Sequence, residues 1–197
     1  MVTLIKNKKL LKYVLGIAPF LFLVGVSLFL LNHSDPDYIV ELVGVQNAYL
    51  LLFITAIFGG FTTFNIIPYH VLLVTLAVGG LNPFILGFLA ATGVSIGDST
   101  SYFVGYQGRM ILPEKMGKWF DRINHLAREN PKLFMLVCFL YSSIIPASND
   151  FLTIPAGLAR YPVWRVMIPL VLGNIVFDVT LAYFATHADS ILHYIFV

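Results

Sequence analysis

A pattern of apolar and polar residues appears twice in this chain, about 80 residues apart, and that recurrence constrains the fold more than any other feature. Ile66, Ile67 and Pro68 return as Ile144, Ile145 and Pro146. The spacing Gly93-x4-Asp98-x-Thr100, followed by Tyr102 and Phe103, returns as Gly173-x4-Asp178-x-Thr180, followed by Tyr183 and Phe184. Each copy reads as a hydrophobic hairpin with a polar tip, then a long apolar helix carrying one acid. Duplication of such a unit is the pattern of inverted-repeat membrane transporters, whose sites lie between the repeats near the middle of the bilayer.

Composition agrees with a bilayer as solvent. Hydrophobic residues make up 58% of the 197 and charged residues 11%, and the mean hydropathy is +0.85, far from the balance of a soluble domain. The lone Cys138 lies in an apolar run, which excludes an intrachain disulfide and a cysteine-rich zinc cluster and reads as packing. The expected fold is therefore an all-α integral membrane protein, with an N-terminal anchor helix followed by an inverted repeat of re-entrant hairpin and transmembrane helix.

Charge placement orients the segments. Lys6, Lys8, Lys9 and Lys12 precede an apolar run from Tyr13 to Leu31, and Asp35, Asp37 and Glu41 follow it. The run, at about 19 residues, is longer than a signal-peptide core and has no small-x-small cleavage site, so it reads as a retained anchor with its N-terminus in the cytoplasm. The next apolar block, from Asn47 to about Gly80, is too short for two crossings and too broken by Gly59, Gly60 and Pro68 for one. If it enters and leaves on the same face, the helix that starts at Pro83 runs inward. Arg109, Lys115, Lys118, Arg122, Arg128 and Lys132 then join the N-terminal lysines inside. The same reading of Phe134 to about Leu158, broken at Pro146 to Asp150, returns Arg160 and Arg165 to the cytoplasm. One hairpin dips from each side, as an inverted repeat requires.

These readings divide the chain into 1–46 (basic N-terminus, anchor and external acidic loop) and a transport domain at 47–197. Within the latter lie repeat 1 at 47–108, a linker at 109–132, repeat 2 at 133–186 and an external tail at 187–197. The linker places Met116, Trp119, Phe120 and Ile123 on one side and basic residues elsewhere, which suits an amphipathic helix on the inner leaflet as well as it suits a solvated connector.

Broken backbone at membrane depth costs several kcal/mol per unpaired group, so the hairpin tips are expected to face a wet or protein-lined cavity. An acid there costs on the order of 3 kcal/mol to insert, and Asp98 and Asp178 are expected to face inward, either contacting a head group or proton or bonding freed backbone amides. His70 follows the first break and could carry a proton, sense pH, bind metal beside a carboxylate, or serve as a bonded structural group. Asn65, Asn149 and Asp150 at the tips could orient a head group or cap the broken helices. Gly93, Gly97, Gly105 and Gly108 form a small-residue face for close helix packing.

The run Gly93-Val94-Ser95-Ile96-Gly97-Asp98, continuing through Tyr102, Gly105 and Gly108, resembles the G-x3-G-D-x3-Y-x2-G-x2-G signature of the DedA family, also called the SNARE-associated or VTT-domain family. A looser match follows at Pro146, Ala156-Gly157 and Gly173-Asn174, so the resemblance covers residues 47 to 186. It implies movement of lipids between leaflets and adds Tyr102 to the candidate pathway. Family members that carry undecaprenyl phosphate have acids in the first hairpin and two arginines around the second break. At the corresponding places this chain has Phe61 or a neighbour, His70, Ser143 and Asn149. Its Pro146-to-Phe151 tip is similar instead to the Pro-x-x-Asn-x-Phe pattern of eukaryotic phospholipid scramblases, which favours an ordinary phospholipid or a less anionic lipid.

The candidate substrate and proton pathway is thus Asn65, His70, Asp98, Tyr102, Asn149, Asp150 and Asp178, with no catalytic group, metal or cofactor. The expected partners are membrane lipids, with proton coupling left open and no nucleic acid; the expected location is a bacterial cytoplasmic membrane. Enzymatic readings lack a nucleophile–base pair and the repeated Glu-x-x-His spacing of a dinuclear metal site. The alternatives are a non-transporting assembly or homeostasis factor and a small-ion or proton-coupled transporter. Sequence alone leaves the oligomeric state open.

Overall fold

Proline and asparagine set where the helices of this chain begin. The fold is that of a computed structural model, which describes residues 40–41, 43–61, 69–107, 122–123 and 125–187. Among them are helices α1 (Val45–Phe61), α2 (Tyr69–Val78), α3 (Pro83–Gln107), α4 (Pro131–Ile144), α5 (Asp150–Leu158) and α6 (Val163–Thr186), and no strand. Pro83 and Pro131 each open a helix at a position that has no use for an amide hydrogen. Asn82 caps α3, its Oδ1 accepting from the amides of Phe84 and Ile85 at 2.9 and 3.3 Å. Helices α4 and α5 are separated by the break at Pro146, as the sequence predicts.

The ends of the two short helices share one geometry 80 residues apart. At the end of α2 the amide of Leu81 bonds the carbonyl of Leu76 and that of Gly80 the carbonyl of Ala77. At the end of α5 the amide of Tyr161 bonds the carbonyl of Ala156 and that of Arg160 the carbonyl of Gly157. Both are six-to-one and five-to-two pairs of a Schellman cap. Gly80 (φ +80°) and Arg160 (φ +52°) occupy the left-handed position, so the repeat read from sequence has a local counterpart in backbone conformation. Glycine holds that position without strain; arginine does not.

Helix pairing follows a swapped pattern. The first helix of each half lies on the long helix of its own half, α1 on α3 and α4 on α6, whereas the main single partner of each short helix is the opposite long helix, α3 for α5 and α6 for α2. Glycines permit these approaches. A methyl at Gly97 would meet the backbone of Gly60 and Ile57 of α1 at 2.5 Å, and one at Gly157 of α5 would lie 2.1 Å from the Tyr102 carbonyl of α3. Gly105 on α3 faces Ile154 of α5 in the same way, and Gly87 on α3 lets the backbone of Val179 on α6 close in. Gly93, Gly97 and Gly105 are thus packing residues, as expected; Gly108 lies outside the described residues.

The distribution of side chains is that of a protein with an apolar solvent. Phe58, Phe84, Phe88, Phe103, Leu136, Ile144, Leu172 and Phe184 are all exposed, while Asp98, Asp150, Thr153, Asn174 and Asp178 are buried. Large exposed apolar surface around a polar interior is the reverse of what water selects. Helix α6 is long and apolar enough to cross a membrane. Helix α3 has 25 residues, about 37 Å at 1.5 Å per residue, but its Gly, Ser, Thr and Asp dilute its apolar character. The 17 residues of α1, 10 of α2, 14 of α4 and 9 of α5 are each shorter than the roughly 30 Å hydrocarbon core.

The expected anchor at Tyr13 to Leu31, the first hairpin tip with Asn65, most of the linker and nearly all of the tail fall outside the described residues. At the end of the linker, Ile123 and Ala127 are buried in an apolar cluster with Tyr102, Phe134 and Cys138, so this part packs onto the helical body. Cys138 is fully buried there, in keeping with a packing role.

Candidate functional site

The break between α4 and α5 delivers an amide to a buried acid. Asn149 precedes α5, and its carbonyl accepts from the amides of Leu152 and Thr153 at 2.8 and 2.9 Å, so its backbone starts the helix. Its side chain makes no cap. Instead its Nδ2 donates to Oδ2 of Asp98 on α3 at 2.7 Å and to Oδ1 of Asn174 on α6 at 3.1 Å. Asn174 in turn donates from Nδ2 to Ser95 Oγ at 3.2 Å and to Asp98 Oδ2 at 3.4 Å. Ser95 donates to the Ala91 carbonyl of its own helix at 2.6 Å. The four side chains, from α3, α6 and the α4–α5 break, form one closed and buried network. Because a carboxylate only accepts, the Asp98 contacts fix the direction of both amides.

The other acid is met in the same manner from the other half. Asp178 on α6 is fully buried. Its Oδ1 accepts from the Tyr69 hydroxyl at 3.4 Å and lies 3.7 Å from His70 Nε2, both on the first turn of α2. Tyr69 and His70 stand 80 residues before Asn149 and Asp150, as Asp98 stands 80 before Asp178. Each long-helix acid therefore meets the first residues of the opposite half's short helix. The contents differ: Asp178 faces a phenol and an imidazole, whereas Asp98 faces an amide and, within electrostatic reach, the Asp150 carboxylate. The two long-helix acids also lie within electrostatic reach of each other.

Several buried polar atoms in this region have no hydrogen-bond partner among the described residues. They are both carboxylate oxygens of Asp150, Thr153 Oγ1 and Asp178 Oδ2. Such atoms are costly in a dry interior, so the site has unused capacity to bind polar groups. His70 is the partly exposed member, its side chain retaining 18% of its accessible surface. It also packs against the Tyr69 ring at 3.9 Å and edge-on to Phe177 at 5.6 Å.

Of the sequence candidates, Asp98 and Asn149 come into direct contact, Asp150 follows Asn149 in the chain and lies within electrostatic reach of Asp98, and His70 joins Asp178. Tyr102, one turn beyond Asp98, does not reach the acids: its hydroxyl donates to the Tyr161 carbonyl and ties α3 to the α5–α6 turn. Thr100 turns back to the carbonyl of Gly97 and Thr180 is exposed, so the threonines that follow the acids do not serve them. Among the described residues the acids bond side chains and no freed backbone amide, which was one expectation; the first hairpin tip lies outside the described residues. Asn65 lies outside the described residues. Ser95, Asn174, Tyr69 and Thr153 were not singled out as site residues. Their signal was spacing: Ser95 and Asn174 precede an acid by three and four residues, and Thr153 follows Asp150 by three, which on a helix means one shared face.

A family model described as the VTT domain matches residues 67–187, more than half of the chain, spanning α2 through α6. No curated protein and no solved structure matches the chain.

Proposed function

This chain belongs to the VTT-domain family, the domain of the DedA proteins, and from that premise we propose that it moves lipids between the leaflets of a membrane. Membership makes it a membrane protein of DedA type. Its activity on lipids is our reading, carried by one observation: the buried network of Asp98, Asn149, Asn174 and Ser95 inside a helical body whose surface is apolar.

In this reading the two helix pairs α1–α2 and α4–α5 are re-entrant hairpins of an inverted repeat. The short lengths of α2 and α5, the shared Schellman cap and the swapped packing support it. A lipid head group passes along the seam where α5 meets α3 and α2 meets α6, while its acyl chains stay in the bilayer. The seam's amides and carboxyls replace the water that the head group gives up, which lowers the solvation barrier to crossing. Asp98 and Asn149 contact the polar head from one half, and Asp178, Tyr69 and His70 do so from the other. The arginine-poor break favours a phospholipid of low negative charge. The N-terminus and the basic segments face the cytoplasm.

The test is transbilayer movement of fluorescent phospholipids in vesicles containing the purified protein, beside protein-free vesicles and an Asp98→Asn/Asp178→Asn variant of verified fold. Movement above background that the variant loses supports the proposal. A protein without transport activity in these vesicles, whose acid-free variant still performs its cellular role, would be an assembly or homeostasis factor.

A further inference from the structure

Positive charge gathers at one end of the molecule. Every lysine and arginine among the described residues lies in 122–132 or 160–165. These stretches meet, since Ile123 and Ala127 share one buried cluster with Tyr161 and Val166. There the starts of α4 and α6 border a cleft of about 510 Å³, lined by the cations Lys132 and Arg165, the acid Glu129, and an apolar wall of Leu133, Met135 and Trp164. The guanidinium of the half-buried Arg165 lies over the Trp164 ring, 4.9 Å from its centroid, which positions the cation without neutralising it. Neither cation is in an ion pair with a described residue; the one such contact is His70–Asp178, in the polar interior. Neither α4 nor α6 has its first amides capped by a side chain, so the positive ends of two helix dipoles add to the charge of the cleft.

We propose that this cleft binds one anionic phospholipid, its phosphate between Lys132 and Arg165 and an acyl chain against Leu133, Met135 and Trp164. Charge selects the head group. Two cations against one carboxylate leave a surplus of one positive charge, which a lipid with one net negative charge complements and a zwitterionic lipid does not. The arginine fork also matches phosphate oxygens. The apolar wall selects a lipid over a free anion. Leu136, one turn beyond Leu133 on α4, and Ile168, one turn beyond Trp164 on α6, are exposed, so the wall continues along both helices as a track for a chain. A free anion would use the cations and leave this track bare. Basic pockets between membrane helices hold anionic head groups in this manner, and an exposed tryptophan suits the level of the head groups. The bound lipid bridges the starts of α4 and α6 and fastens the second half in the leaflet that carries it. None of the lining residues belongs to the Asp98–Asn149 network or touches Asp178, so the site does not depend on lipid movement.

The experiment measures binding of radiolabelled phosphatidylglycerol to the immobilised, delipidated full chain in detergent, with phosphatidylcholine, phosphatidylethanolamine and inorganic phosphate as competitors. The expected result is saturable binding that neither zwitterionic lipid nor inorganic phosphate displaces at equal concentration. Lys132→Gln and Arg165→Gln should each weaken it about tenfold, as loss of a hydrogen bond to a charged group does. Arg128→Gln, at the same basic end but outside the cleft lining, should leave it unchanged. Lys132 is exposed, so Lys132→Gln reports on the site even if Arg165→Gln does not fold. Absence of saturable binding overturns the proposal, and so does unchanged affinity in Lys132→Gln. Equal competition by a zwitterionic lipid refutes the charge selection, displacement by inorganic phosphate shows a free-anion site, and an equal loss in Arg128→Gln shows diffuse attraction to the basic end; each overturns it as well. Binding in detergent involves no transbilayer movement, so its failure leaves the transport reading standing, and failure of transport in vesicles leaves the cleft standing.

Discussion

Nδ2 of Asn149 sits 2.7 Å from Oδ2 of Asp98, joining the break of the second half to the long helix of the first across 51 residues of sequence. Asn149 uses its backbone to start α5 and its side chain to solvate an acid on another helix, so one residue sets both the local break and the tertiary contact. Asn149→Ala removes the shortest hydrogen bond to Asp98 and is expected to cost roughly 1–3 kcal/mol, the range for a buried group left without its partner. Thermal unfolding in detergent checks this. Asn149→Asp should be worse, since it adds a third carboxyl to Asp98 and Asp150.

Tyr69→Phe provides the comparison in the other half. The Tyr69–Asp178 contact is long at 3.4 Å, so its loss should cost no more than about 1 kcal/mol, at the weak end for a hydrogen bond. A melting-temperature drop equal to that of Asn149→Ala would show that the two halves solvate their acids equally.

The all-helical fold, the break at Pro146, the packing glycines and the inward acids were legible in the sequence, because each leaves a mark in composition or at a fixed spacing. The pairing between halves was not. Nothing in the order of α2 and α5 says that each has the long helix of the opposite half as its main partner, and the glycines that admit α5, Gly105 and Gly157, also suit contacts within a half. The partner of Tyr102 was hidden for a related reason. Tyr102 stands one turn from Asp98, but its hydroxyl lies far enough along the helix to reach the Tyr161 carbonyl, a partner that only the fold supplies. Thr153 was overlooked because an isolated threonine in an apolar helix ordinarily bonds its own backbone, as Thr75 does to Val71.

The swapped packing predicts a ranking of glycine substitutions. Gly157→Ala would set a methyl 2.1 Å from the Tyr102 carbonyl and 2.8 Å from the Tyr106 amide, both backbone. Separating α5 from α3 should destabilise by about 1–3 kcal/mol or more, as overpacking does. Gly80→Ala meets nothing within 4 Å and bears only the strain of φ +80°, about 1–2 kcal/mol. Unfolding midpoints should place Gly157→Ala below Gly80→Ala.

Arg160 holds the left-handed cap position that Gly80 holds in the other half, and its guanidinium stacks over the Tyr106 ring at 5.1 Å. Arg160→Ala keeps the strained backbone and loses the stacking, for a cost of about 0.5–1 kcal/mol. Arg160→Gly loses the same stacking but relieves the backbone by about 1–2 kcal/mol, and should melt above Arg160→Ala. Equal midpoints would show that the cap is not under strain.

The claim that the Asp98–Asn149 seam carries a lipid head group is tested most directly by the transbilayer rate of a fluorescent phospholipid in vesicles holding equal amounts of folded wild-type protein, Asp98→Asn or Asn149→Ala. The account predicts movement above protein-free vesicles for the wild type and at least a tenfold slower rate for each variant. Rates unchanged in both folded variants would contradict it and place the lipid path elsewhere on the molecule.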